Sequence, residues 1–410
     1  MKTLKNVSCL AILLLISLYS YGQDQTTAAA TPTTTPGDAT ATPAAKEEDE
    51  EPAFVLSGSV DAYFHTTFGT ENYMFGTNAP STSFSDLKGF SLGMVNLIGS
   101  YSGKKSGFVA DLVFGPRGTA AVFGDGSYYQ GTGQRIINQL FAYYKFSDAV
   151  TLNMGQFNTF VGYEVISPAV NFHYSTSYLF SWGPFNHTGL RADFSFGEGG
   201  VAKLAVMNPT DIVEFNPVNT YTLGAQIGKT GDFGGVWLNF LYGDQDGTLD
   251  EDDVVTGDAS YGTLFQGDLT LSYNVTETFS IGFNTSLQSV AAGEFVDING
   301  EIQDSDADAS SFLGFAIYPK LTLSETFAIG LRAEYFSTKN NHFAAPIIAV
   351  DTEGDGNVME FTLSGNYKVG GLTFIPEVRV DMTSEDSFAD SDGEMKDMMP
   401  SLNLAAVYKF

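Results

Sequence analysis

Four histidines, one glycine–lysine turn and three runs of alternating carboxylates are the side chains in this sequence with a chemistry to offer. His65, His173, His187 and His342 have no metal-ligand spacing. A serine–histidine hydrolase would need a nucleophile beside its base, and although His187 has hydroxyl neighbours, no such motif accompanies it. Gly224, Gly228, Lys229 and Thr230 resemble a phosphate-binding loop that is one residue short. Leu223 stands where the first glycine is required, and the stretch sits at a strand-to-turn corner instead of a helix start. The acidic runs at 244–253, 304–309 and 351–356 are rich in oxygen ligands. The last opens like an EF-hand loop, but its twelfth position is Thr362, not Glu. Weak Ca²⁺ binding in these loops stays open. No other cofactor and no enzymatic activity are expected.

The other charges follow a different rule. They recur at every second residue inside apolar segments. LTFIPEVRVDM places Glu377, Arg379 and Asp381 on one face, and FAIGLRAEYF places Arg332 and Glu334 together. HTGLRADFSF does the same with His187, Arg191 and Asp193. Asp61 with Tyr63 and His65, Asp111, and Gln266 with Asp268 extend the set. An Arg or Lys facing lipid at the midplane would cost about 2–4 kcal/mol, and the alternation keeps these residues off that face. They are expected to face a lumen, either lining a pore or pairing with one another as scaffold, for example Arg332 with Glu334.

Such side chains need strands. Sixteen segments of suitable length alternate apolar and polar: 55–68, 89–102, 106–116, 135–146, 149–158, 185–196, 200–208, 220–229, 233–243, 259–274, 278–290, 310–322, 326–337, 357–368, 371–383 and 399–410. Short turns and long polar loops join them in strict alternation, eight long and seven short. The fold class is therefore all-β: a transmembrane antiparallel barrel of about sixteen strands, with long external loops and short periplasmic turns. The last segment, SLNLAAVYKF, sets Leu402, Leu404, Ala406, Tyr408 and Phe410 on one face, and its terminal aromatic resembles the signal read by barrel-assembly machinery. A barrel of this size encloses an aqueous channel, whereas about eight strands would be filled by side chains.

The third long loop, 158–184, is unusual. Phe160, Val161, Tyr163, Val165, Ile166, Phe172, Tyr174, Tyr178, Leu179, Phe180 and Trp182 are odd company for a solvated loop. Packing against the inner wall would explain them, with Tyr163, Glu164 and His173 as constriction candidates. A surface cap or a subunit contact is the rival reading.

The amino-terminal segment reads as an address. Lys2 and Lys5 precede an apolar run over 10–18, and Ser20 and Gly22 suit cleavage after Gly22, so residues 1–22 are read as a signal peptide. Residues 23–53, rich in Thr, Ala and Pro and then acidic, are read as a disordered periplasmic tether, leaving 54–410 as the barrel. Cys9 is the only cysteine, so disulfides, thiolate nucleophiles and cysteine metal sites are excluded from the mature chain. The net charge is −29. Removing seven acids and three lysines upstream leaves 41 acids and 16 bases over 54–410, or −25. Nucleic acid is thereby an unfavourable partner, and cations should concentrate at the mouth.

The segment GQFNTFVGYEVISPAVNFHYSTSYLFSWGPFNHTGLRA resembles the signature of the OmpL-like β-barrel porin family, frequent in Bacteroidota. YGQ, GLRAEYF and IPEVRVD are similar to it too. The resemblance implies a pore-forming barrel in the outer membrane of a Gram-negative bacterium. It brings no catalytic residues. Small hydrophilic solutes and outer-membrane lipid are the expected partners, with both termini periplasmic and a homotrimer as the usual assembly of general porins. Passive diffusion, cation-preferring and narrowed by the third loop, is the expectation. A plugged structural or assembly barrel is the alternative.

Overall fold

The computed structural model describes residues 53–72, 82–122, 136–249, 255–342 and 349–410. The signal peptide and, apart from Ala53, the tether lie outside the described residues, as do parts of the first, second, fifth and seventh long connections.

The described residues form sixteen long strands: β1 Ala53–Thr67, β2 Gly89–Ser102, β3 Ser106–Phe114, β4 Ile137–Ser147, β5 Val150–Asn158, β6 Asn186–Phe196, β7 Gly200–Met207 and β8 Thr222–Gly231, then β9 Gly234–Gly243, β10 Ala259–Asn274, β11 Phe279–Val296, β12 Ser310–Thr322, β13 Phe327–Lys339, β14 Gly356–Val369, β15 Leu372–Thr383 and β16 Met398–Lys409. Each pairs antiparallel with its sequence neighbours. β1 also pairs with β16, Val60 opposite Tyr408 and Thr67 opposite Ser401, so the sheet closes on itself. Closure removes the sheet edges, which is what lets strands cross a bilayer with every backbone group paired. No helix of the described residues is long and apolar enough to cross a membrane; the crossing is made by strands.

Period-two alternation produces this arrangement because successive side chains of a strand point to opposite faces. In β16, Leu404 and Tyr408 are exposed on the outside, while Ser401, Asn403, Ala405 and Val407 are buried inside. The outside is a belt of Leu, Val, Ile and aromatic side chains, suited to lipid.

Three departures from the sequence reading have local causes. β3 stops at Phe114 because Pro116 opens a short helix, α1 Pro116–Ala121, with the proline at its first turn, where a missing N–H does no harm. β11 runs on to Val296 and folds back on a ribbon strand, Ile302–Asp304. The loops expected at 69–88 and 384–398 carry short strands, Thr70–Asn72, Phe388–Asp390 and Met395–Lys396, which form a small sheet of their own. Strands of two or three residues leave no periodicity to read.

Candidate functional site: the docked third connection

Between β5 and β6 the chain leaves the wall, crosses the lumen and returns. Its local folding is set by three devices. Gly162 supplies a positive φ of 93° just after Phe160 and Val161 have packed with Phe157, Ala205 and Met207. Asn171 staples the inner bend, accepting from the Val165 N–H at 2.9 Å and donating to its carbonyl at 2.6 Å. Ser177 caps a one-turn helix, α2 Tyr178–Ser181, its Oγ accepting from the Phe180 N–H at 3.0 Å.

Of residues 174–179, the carbonyls of Ser177, Tyr178 and Leu179 are taken within the one-turn helix, and most of the other backbone groups need partners from outside the loop. The wall provides them. Glu377 accepts from the N–H groups of Tyr174 (2.8 Å) and Ser175 (3.1 Å). Glu334 accepts from those of Tyr178 and Leu179, both at 2.7 Å. Arg332 donates to the Ser175 carbonyl at 2.8 Å, and Arg379 to that of Thr176 at 2.7 Å. Arg117, from α1, donates to the Tyr174 carbonyl at 3.2 Å. The loop's own Glu164 takes the Ser177 N–H at 2.7 Å. Bonds with one ionised partner are the strong class, and here each also satisfies a buried backbone group that water cannot reach.

The charges are tied to one another as well. Arg332 pairs with Glu164 at 2.8 Å and with Glu360 at 2.9 Å. Arg379 pairs with Asp381 at 2.7 Å and lies 3.7 Å from Glu360. Arg332, Glu360 and Asp381 are 0% exposed. Taking such charges out of water is expensive, and full partnering is what makes them tolerable.

Aromatic side chains of the loop fit the wall where the wall has no side chain. Tyr163 stacks on Tyr318 with ring centroids 4.4 Å apart and lies over Gly282, while Phe172 lies over Gly330. A Cβ built at Gly330 would stand 2.5 Å from the Phe172 ring, closer than two such atoms come. Tyr174 and Tyr178 are 0% exposed; the Tyr174 hydroxyl donates to Asp61 at 2.6 Å and the Tyr178 hydroxyl to Asp381 at 3.0 Å. Beside Val161, Gly162 and Asp268 a cavity of about 10 Å³ remains, room for about one water.

The sequence matches the family described as "Putative beta-barrel porin-2, OmpL-like" over residues 53–410. The chain belongs to this porin family. No curated protein matches it at a significant level. Among solved structures it is similar to the outer membrane channel DcaP of Acinetobacter baumannii, with TM-score 0.55, 12% identity, and 88% of this chain and 97% of that chain covered. It is similar to OmpF of Salmonella typhi in complex with daunomycin (TM-score 0.54, 11% identity, 87% and 97% covered). It is also similar to an anion-selective porin from Comamonas acidovorans (TM-score 0.53, 11% identity, 88% and 100% covered). At these identities the likeness is one of fold. The protein is thus an outer-membrane β-barrel of porin type.

Within this porin the residues singled out in the sequence fall into two groups. Asp61, Tyr63, Tyr163, Glu164, His173, Arg332, Glu334, Glu377, Arg379 and Asp381 meet around the docked loop. His173 faces Ser364 Oγ at 2.7 Å. Of the others, His187 and Asp268 meet the first residues of the connection, Asp268 accepting from the Gly162 N–H at 3.1 Å, while Arg191, Asp193 and Asp111 lie on the strands beyond it. Arg191 pairs with Asp193 at 2.9 Å and lies over the Phe157 ring, and His187 Nε2 is 3.0 Å from the Thr159 hydroxyl. Asp111 is held by three side-chain amides, those of Asn96, Asn138 and Gln139. Arg332 does not choose Glu334, as the scaffold reading had it. Glu334 is occupied by two loop N–H groups, and Arg332 turns to Glu164 and Glu360. Glu360 was passed over in the sequence, although Thr362 and Ser364 follow it on the same face. Arg117 left no signal at all, because α1 is a single turn inside a loop. Among the described residues no cluster of three or more His, Cys, Asp or Glu could hold a metal.

Proposed function

We propose that this porin is a passive diffusion barrel for small hydrophilic solutes in which the third connection governs passage. The observation that carries the reading is the position of residues 174–179, seated at mid-strand on Glu334, Glu377, Arg332 and Arg379. An element held there lies across any path through the lumen. Cation preference belongs to the same proposal. It is supported by the −25 charge over 54–410 and by the exposed acidic connections, which concentrate cations at the mouth. The fold does not fix that sign, since a structurally similar porin is anion-selective. The two barrel ends, Ala53 and Lys409, lie on the short-turn side, which we assign to the periplasm.

A second reading, a plugged structural or anchor barrel, draws support from one observation: the charged wall residues around the loop are almost fully buried. Single-channel recording in planar bilayers separates the two. Under the first reading wild type opens in steps, and removing residues 160–180 raises conductance and size limit. A folded barrel silent in both forms would leave the structural reading. A salt gradient in the same recording gives the selectivity, and a reversal potential favouring Cl⁻ over K⁺ would refute the charge argument.

A further inference from the structure

A loop that merely fills a barrel needs apolar side chains, and this one has them. Its backbone is treated differently. Consecutive N–H groups go in pairs to two carboxylates, Glu377 and Glu334, and two successive carbonyls go to two guanidiniums, Arg332 and Arg379. A wall built only to hold a plug would close more cheaply with apolar contacts, because buried ion pairs are often no more stable than the hydrophobic groups that could replace them. Carboxylates that accept N–H and guanidiniums that donate to C=O, carried together on β13 and β15, are the complement of a peptide backbone.

From this geometry we infer that the wall is a binding site for a short peptide backbone, occupied in the docked state by the chain's own residues 174–179. The solutes this barrel favours are accordingly short peptides with a free ammonium group. The ammonium follows from the charge left when the loop departs: Asp61, Glu334, Glu360, Glu377 and Asp381 against Arg117, Arg332 and Arg379, five negative and three positive, a surplus of two negative charges. The inference deepens the diffusion reading and rests on it. The loop is a tethered competitor, and a peptide passes by taking its place.

The test is uptake into proteoliposomes of the full barrel. Labelled tri-alanine is compared with sorbitol, which is smaller and lacks amides, and with tri-alanine capped at both ends. Wild type should admit tri-alanine at least about tenfold faster than sorbitol, the discrimination expected of one lost charge-assisted contact. Capped tri-alanine should fall between, and a capped heptapeptide of the sequence at 173–179 should inhibit. Two variants separate cradle from latch. Glu164→Gln loosens the loop from Arg332 and leaves the wall intact, so both rates rise and their ratio holds. Glu377→Gln alters the wall, so the sorbitol rate rises and the ratio falls towards one. Equal rates for tri-alanine and sorbitol in wild type would overturn the peptide site and leave the channel standing. Entry of neither solute in any variant would overturn the channel. Saturable binding of the labelled heptapeptide to detergent-solubilised Glu164→Gln, lost when Glu377→Gln is added, would then uphold the site, and no binding would end it.

Discussion

Among the described residues, the tips of three long connections and the third connection are structured in opposite ways. The tips at 297–301, 351–355 and 390–394 are built alike. In each a leading aspartate, Asp297, Asp351 or Asp390, accepts through Oδ1 from the N–H groups two and four residues on, at 2.8–3.0 Å. Each places a glycine, Gly300, Gly354 or Gly393, at φ near 80°. Everything such a tip needs lies within five residues. The third connection takes the main partners of residues 174–179 from more than 150 residues away, on β13 and β15. A tip is a local solution that any barrel could carry. The third connection is held in place by this wall, so changes to wall and loop should act together.

The sharpest way to break that contrast is at Arg332. Arg332→Ala leaves Glu164 buried without its cation and Glu360 with only Arg379, 3.7 Å away, a loss of about 3–5 kcal/mol for a pair broken on one side. The loop should release. The expected outcome is a large rise in single-channel conductance, with protease cutting within 163–179 while the barrel still migrates as folded on unheated gels. An uncut, unchanged variant would show that Arg332 does not hold the loop.

Next in size are the glycine seats. Gly330→Val would force the Phe172 ring off the wall, an overpacking cost of about 1–3 kcal/mol. Exposed positions on the same strand, such as Leu331, should tolerate exchange for another apolar residue without effect on conductance. Equal behaviour of the two would mean that the Phe172 contact does not matter to docking.

How far the sequence could be read follows the same division between local and distant causes. All sixteen strands were legible because alternation is written into each strand by itself: Leu404 and Tyr408 announce one face, Asn403 and Val407 the other. The apolar content of 158–184 announced a loop that avoids water. The partners could not be read. Arg379 and Asp381 pair across one residue of strand, and so do Arg191 and Asp193, yet Arg332 and Glu334 at the same spacing do not. What differs is the arrival of two loop N–H groups at Glu334, 155 and 156 positions earlier in the chain. Arg117 is the extreme case. Its guanidinium stacks over Phe84 and bonds the carbonyls of Ile166 and Tyr174, contacts that exist only once three connections have converged.

A smaller effect should come from Asp211, in the fourth connection outside the strands. Burial lifts its carboxyl to about 7, against the two N–H groups of Phe185 and Asn186 that it accepts. A carboxyl raised in the folded state favours folding most below its unfolded value, about 3.9, and that contribution is lost as pH rises through 7. The heat needed to unfold the barrel on gels should therefore fall between pH 4 and pH 7 beyond what Asp211→Asn shows. Parallel curves for the two proteins would mean the group titrates normally.

The smallest structural effect is expected at the tips, and there the contrast can be sharpened by charge. Backbone N–H groups, led by those of Glu301 and Asp355 respectively, hold the carboxyls of Asp297 and Asp351 below their ordinary value. Both should stay ionised, and contribute to any cation preference, down to about pH 4. Replacing both by Asn should leave unfolding on gels unchanged, because each tip is exposed and self-contained. It should shift the reversal potential towards neutrality at low salt and much less near 1 M, where the screening length falls to about 3 Å. A cation preference left unchanged in the double variant would place the selectivity filter deeper, among the charges of β13 to β15, and would make the docked wall the source of both passage and preference.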